Sequence, residues 1–174
     1  MSTYSLISNQ VLGSSTASVT FSSIPGTYTD LILRISVRDT GSPATNGILQ
    51  LTFNGSSATN YSYTGIYSAG STTKSSQGGG TMAYIYISPG WTTDNSNSAN
   101  AFSSMDIYIP GYANSSNKST YWAIATPDSG GTASLTASAA GLWRGTSAIT
   151  SLTLTSTNLN VANSSFSLYG ISNA

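Results

Sequence analysis

The sequence predicts an all-β protein, a jelly-roll-like β-sandwich of about eight to ten antiparallel strands in a single domain over residues 1–174. Three observations carry that reading. Apolar and polar residues alternate with a period of two over many short runs. Turn signals built from Pro, Gly and Asn separate those runs. Strong helix formers are nearly missing, with no Glu, two Lys and three Arg in 174 residues.

The elements follow in order. Ala17, Val19 and Phe21 alternate with Ser18, Thr20 and Ser22. Ser23-Ile24-Pro25-Gly26 follows, and its Pro-Gly pair favours a type II turn. Leu31, Leu33, Ile35 and Val37 point one way, while Ile32, Arg34, Ser36 and Arg38 point the other. Leu49, Leu51 and Phe53 form the next strand, which stops at the tight-turn pair Asn54-Gly55. Tyr61, Tyr63 and Tyr67 mark a short strand. Residues 70–80 (GSTTKSSQGGG) read as a surface loop. Residues 82–88 form a strand with Tyr84 and Tyr86 on one face, and Pro89-Gly90 ends it. Residues 91–100 (WTTDNSNSAN) read as a second polar loop. Strands follow at 104–109, 121–126, 133–139, 149–155 and 165–171. No internal repeat is present, which argues against a propeller or a β-helix.

Composition excludes whole classes of chemistry. Cys and His are both absent, so thiol nucleophiles, histidine triads and Cys/His metal sites are absent with them. Formal net charge is zero and charged residues are 6% of the chain, so phosphate neutralisation cannot drive nucleic-acid binding. No apolar run reaches eighteen residues, so no membrane-spanning helix is expected. The opening MSTYSLISNQ has no basic region and no apolar core of a secretory signal, so synthesis and folding in a cytoplasm are expected. Hydrophobic residues at 39%, with eleven Tyr, four Phe and three Trp, suit strands and oppose disorder.

Few residues could carry chemistry. Asp94 opens the run DNSNSAN, with oxygen ligands at alternate positions. The run lacks the glycine of a calcium loop, and Met105 stands where its bidentate Glu belongs, so a solvated loop is the better reading. Asp94, Asp106 and Asp128 are the carboxylates open to a glycosidase reading. Asp106 suits a surface salt bridge better, and Asp128 lies in a Pro/Gly turn. No catalytic residue, metal site, cofactor or small-molecule substrate is therefore expected. Arg34, Arg38 and Arg144 are either scattered solubility charges or specific partners of Asp side chains and backbone carbonyls. With Asp106 and Trp143 they are the candidate contact surface, although Trp143 suits the core equally. Tyr61, Tyr63, Tyr84, Tyr86 and Trp91 could stack on sugars, but alternate Tyr on strands more often packs a sheet.

Charge density adds one inference. A folded chain of 17.9 kDa exposes roughly 8,000 Å². Its ten charged side chains are then spread at about one per 800 Å², the area one partner buries in a standard interface. Neutral hydroxyl surfaces are also cheaper to desolvate than Lys/Glu surfaces. Such a surface suits a large assembly.

The stretch TASVTFSSIPGTYTDLILR (16–34) resembles the opening of a group of small tailed-phage virion proteins. The C-terminal runs AGLWR (140–144), ITSLTL (149–154) and FSLYGI (166–171) resemble them too, as does Asn54-Gly55 followed by Asn60-Tyr61-Ser62. The resemblance covers about half the chain, at its two ends. It implies a non-enzymatic capsid decoration, or cement, protein on the outer surface of a phage head. Its implied partners are itself, as a homotrimer, and the major capsid protein. The alternative is a tail or fibre module that binds host glycans through its Tyr and Trp side chains.

Overall fold

The computed structural model describes residues 3–41, 47–69, 73–88, 93, 100–126 and 135–172. The alternation in the sequence becomes burial. In β3 (Asp30–Val37), Leu31, Leu33, Ile35 and Val37 are buried while Arg34 is exposed. The same holds in β8 (Ser103–Pro110), where Met105, Ile107 and Ile109 are buried while Ser104 and Asp106 are exposed. The remaining strands are β1 (Thr3–Val11), β2 (Thr16–Phe21), β4 (Leu49–Phe53), β5 (Tyr61–Ala69), β6 (Thr73–Met82), β7 (Ile85–Ser88), β9 (Lys118–Thr126), β10 (Leu135–Trp143), β11 (Leu152–Asn160) and β12 (Ser165–Ser172). Among the described residues there is no helix.

Two antiparallel sheets form. One has eight strands in the order β1-β12-β3-β8-β9-β10-β5-β6, and the other four in the order β2-β11-β4-β7. Eight of the twelve strands nest as a jelly roll: β1 pairs with β12, β2 with β11, β3 with β8 and β4 with β7. The other four extend the larger sheet beyond β8 as β9, β10, β5 and β6. Leu33, Phe166 and Leu168 of the large sheet and Leu51, Leu152 and Leu154 of the small one belong to one buried core. The exposed surface is 7880 Å², close to the size-scaling expectation.

Several expectations need correction. Twelve strands form among the described residues, and β1 had no signature among the expected ones, because its apolar residues lie on a sheet edge and stay partly or largely exposed. Residues 73–80 belong to strand β6 and not to a surface loop, since Tyr63 to Ala69 of β5 pair with residues 73–79. Glycine serves that pairing: a Cβ on Gly79 would lie 3.1 Å from the Tyr63 ring and 3.0 Å from the Met82 side chain. The expected strand at 82–88 is divided, with β6 ending at Met82, a bend at residues 83–84, and β7 beginning at Ile85. Of the expected loop at 91–100, only residues 93 and 100 are described, and Thr93 is buried and bridged to Arg38.

The type II turn at Pro25-Gly26 does not form. Ser23 takes the positive φ, at 55°, and Gly26 does not. Tertiary contacts decide this: the Ile24 N–H donates to the Thr150 carbonyl at 2.9 Å, and the Tyr112 hydroxyl donates to the Pro25 carbonyl. Asn54 and Gly55 behave as expected, with φ of 52° and 64°. The Asn54 side chain then accepts from the Thr150 and Ser151 N–H groups at 2.8 and 3.1 Å, tying this turn to the start of β11.

Candidate functional site

Cross-strand partners in an antiparallel sheet share a face, so register alone lays out the two outer surfaces. On the four-stranded sheet, Thr20, Thr153 and Thr52 form one row, and Ser18, Thr155 and Gln50 the next. The Thr20 and Thr153 hydroxyls lie 3.0 Å apart. None of the four strands of this sheet carries a charged residue. Its outer face is uncharged and mostly hydroxyl-bearing, with Gln50 in the second row.

The outer face of the eight-stranded sheet differs. On β12, β3 and β8 three rows lie side by side. Ser165, Ser36 and Ser104 form the first, Ser167, Arg34 and Asp106 the second, and Tyr169, Ile32 and Tyr108 the third. The tyrosine row continues to Tyr121 on β9 and to Leu6 on β1. Small side chains beside large ones leave a shallow depression of about 390 Å³ over the serine and arginine rows.

Electrostatics in this face are local. Arg34 Nε lies 3.6 Å from Asp106 Oδ1, and both side chains are more than half exposed. At the end of the tyrosine row the Tyr108 hydroxyl donates to Asp30 Oδ2 at 2.8 Å. Desolvation, reinforced by the hydrogen bond to Asp30, pushes the Tyr108 phenol up to about 12. Asp30 also accepts from the Gly111 N–H at 2.8 Å.

The structure separates the candidate contact residues. Arg34 and Asp106 form a pair on the large sheet. Arg144 is exposed and donates to the Gly80 carbonyl at 3.3 Å and to Ser62 Oγ at 3.4 Å. Arg38 is half-buried, and its guanidinium donates to the Ala101 carbonyl at 3.3 Å. Trp143 is a core residue and offers no outward surface: it is 4% exposed and stacks on Tyr61 at a centroid distance of 6.2 Å.

The residues considered for sugar stacking do not make one exposed platform among the described residues. Tyr61 is wholly buried, its hydroxyl accepting from the Phe53 N–H at 3.0 Å, and burial pushes its phenol up. Tyr63, Tyr84 and Tyr86 are half-buried and pack ring against ring, with centroids 5.3 and 5.2 Å apart. Trp91, Asp94 and Asp128 lie outside the described residues. Among the described residues no three acidic, His or Cys side chains gather into a cluster that could hold a metal.

The chain matches no protein-family model, no curated protein and no solved structure. What the site can do therefore rests on its own geometry.

Three structural residues escaped the sequence reading. Asp39 is fully buried and accepts from the Gly41 N–H and, at 3.4 Å, from Asn158 Nδ2. Asp30 is 6% exposed. Lys118 is 1% exposed, with its ammonium donating to the Asn114 and Ser116 carbonyls, and desolvation lowers its pKa. Lys118 shares its strand face with Thr120, Trp122 and Ile124, all buried, so extending the period-two pattern of the 121–126 strand backwards from Trp122 by two steps would have placed it inside.

Proposed function

We propose that this chain is a non-enzymatic virion structural protein, a capsid decoration protein that binds the outside of a phage head as a homotrimer. The observation that carries the proposal is the charge-free outer face of the four-stranded sheet. Interfaces deplete charge at their centres, and an uncharged, mostly hydroxyl-bearing face can be covered without stripping water from ions. The terminal motifs at 16–34 and 140–171 support the same reading through their resemblance to phage virion proteins. The jelly-roll core suits a rigid block that clamps its neighbours.

The mechanism is mass action. A block that binds only the assembled shell raises the free energy needed to open it. Three linked copies raise the local concentration of each contact, so individually weak contacts suffice. Nothing in that task needs a nucleophile or an acid–base pair.

The test is location and binding. Antibody raised against the chain should label the heads of purified virions. Recombinant protein should sediment with expanded capsids, and Thr153→Arg in the charge-free face should abolish that. Label at the tail end would move the assignment to a host-recognition module. A strict monomer that ignores capsids would overturn the proposal.

A further inference from the structure

We infer that the depression on the outer face of the eight-stranded sheet is a binding site for a neutral oligosaccharide. The inference rests on this sheet alone and stands apart from where on a particle the chain sits. Serine hydroxyls, an exposed Arg34–Asp106 pair and the Tyr169–Ile32–Tyr108 row lie side by side on three adjacent strands.

The lining selects the ligand class. Arg34 offers only donors, Asp106 only acceptors, and each serine offers both. A sugar ring presents adjacent hydroxyls that donate and accept at once, so it can satisfy both members of the pair. The pair carries one positive and one negative charge 3.6 Å apart, so an anionic ligand meets a carboxylate and a cationic one meets a guanidinium. Neither gains net charge complementarity, which favours a neutral ligand. An apolar ligand would cover serine and charged groups without bonding them, at the cost of their hydration. An extended peptide takes main-chain hydrogen bonds from a sheet edge, and this site lies inside the sheet, on β12, β3 and β8.

Size and shape agree. The depression holds about 390 Å³, within the roughly 300–1,000 Å³ of small-ligand sites. It is open to solvent, so a chain can lie across it without entering a closed cavity. Tyr169 borders it, and Tyr108 follows two strands away in the same row. The hydrogen bond from Tyr108 to Asp30 fixes that ring in place. Aromatic faces of this kind supply apolar area at low entropic cost. A second copy of the chain is the poorer occupant, because a flat protein face would dry an exposed ion pair without new partners.

The experiment is amide-resolved NMR of the intact protein, titrated with maltohexaose, cellohexaose, chitohexaose and mannohexaose, after a glycan array has widened the panel. The expected result is saturable shifts confined to Ser36, Ser104, Asp106, Ser167, Tyr169 and their strand neighbours, from at least one neutral glycan. Arg34→Ala and Tyr169→Ala should each weaken that binding at least ten-fold with the melting midpoint nearly unchanged. Leu159→Ala, on the smaller sheet, should leave it alone. No neutral glycan shifting these amides would overturn the inference. So would tighter binding of an anionic glycan, or shifts of the same amides on simple concentration without sugar, which would mark a protein–protein face.

Discussion

The two halves of the large sheet are built on different packing rules. In the jelly-roll half, β1-β12-β3-β8 faces the smaller sheet through long aliphatic side chains such as Leu31, Leu33, Ile107 and Leu168, all buried. In the extension, β9-β10-β5-β6, rings replace them: Trp122, Trp143 and Tyr61 are buried, and Tyr63 and Tyr67 pack against the same core. Facing these rings are residues with little or no side chain, Gly141, Ala139, Ala137 and Gly65. A Cβ on Gly141 would lie 2.6 Å from Thr120 Oγ1 and 3.0 Å from the Trp122 ring. The first half fills space by matching similar volumes, the second by fitting large against small. Both reach close packing, but they fail under opposite substitutions.

Removing volume should hurt the aliphatic half most. Leu168 is fully buried on β12. Leu168→Ala should cost about 2–5 kcal/mol in denaturant unfolding. A loss under about 1 kcal/mol would show that this layer collapses around the cavity.

Adding volume should hurt the ring-and-glycine half. Gly141→Ala should cost about 1–3 kcal/mol through overpacking. Gly13 provides the control, since a Cβ there meets nothing within 4 Å and its φ is not left-handed. Gly13→Ala should be neutral or stabilise by up to about 1 kcal/mol. Equal losses at both positions would erase the distinction between the halves.

Alkaline titration probes the seam where the halves meet, at β8. The Tyr108 pKa is raised from 10.0 to about 12, so the folded state holds a proton that the unfolded state releases. The stability it contributes is full below pH 10.0 and fades as pH rises through about 12. In an ultraviolet titration of tyrosinate, Tyr108→Phe should remove a late-ionising step. Losing an early step in its place would contradict the burial of that phenol.

The smallest effect belongs to the exposed pair. Arg34→Ala should change stability by less than about 1 kcal/mol, because both partners are more than half exposed and screened by water. A larger loss in a salt-dependent melt would mean the pair organises the three strands beneath it.

How much was legible follows from the same contrast. Strands β3, β4, β8 and β12 announce themselves because aliphatic and polar residues alternate over a half-buried layer. β6 does not, because TKSSQGGGTM carries almost no hydrophobic signal and takes its conformation from pairing with β5. The Arg34–Asp106 pair was half legible: each residue could be placed outward on its strand, but the register that sets them opposite one another is a long-range fact. Sugar stacking by Tyr61 looked reasonable from its neighbours in sequence. Its inward place on β5 depends on Phe53 and Trp143, which the linear spacing does not reveal.

The nesting of the strands also governs how this chain acquires its shape. Thr3 pairs with Ser172, so the outermost contact spans nearly the whole chain, and each inner pair must be in place for the next to close over a short effective loop. Non-local pairing of this kind makes folding slow, on the millisecond-to-second side of the known range. Three hairpins break the rule, β5–β6, β8–β9 and β9–β10, whose strands are neighbours in sequence. They are the segments able to form early. The added strands that widen the sheet are then also the local nuclei from which the long-range jelly roll can be gathered.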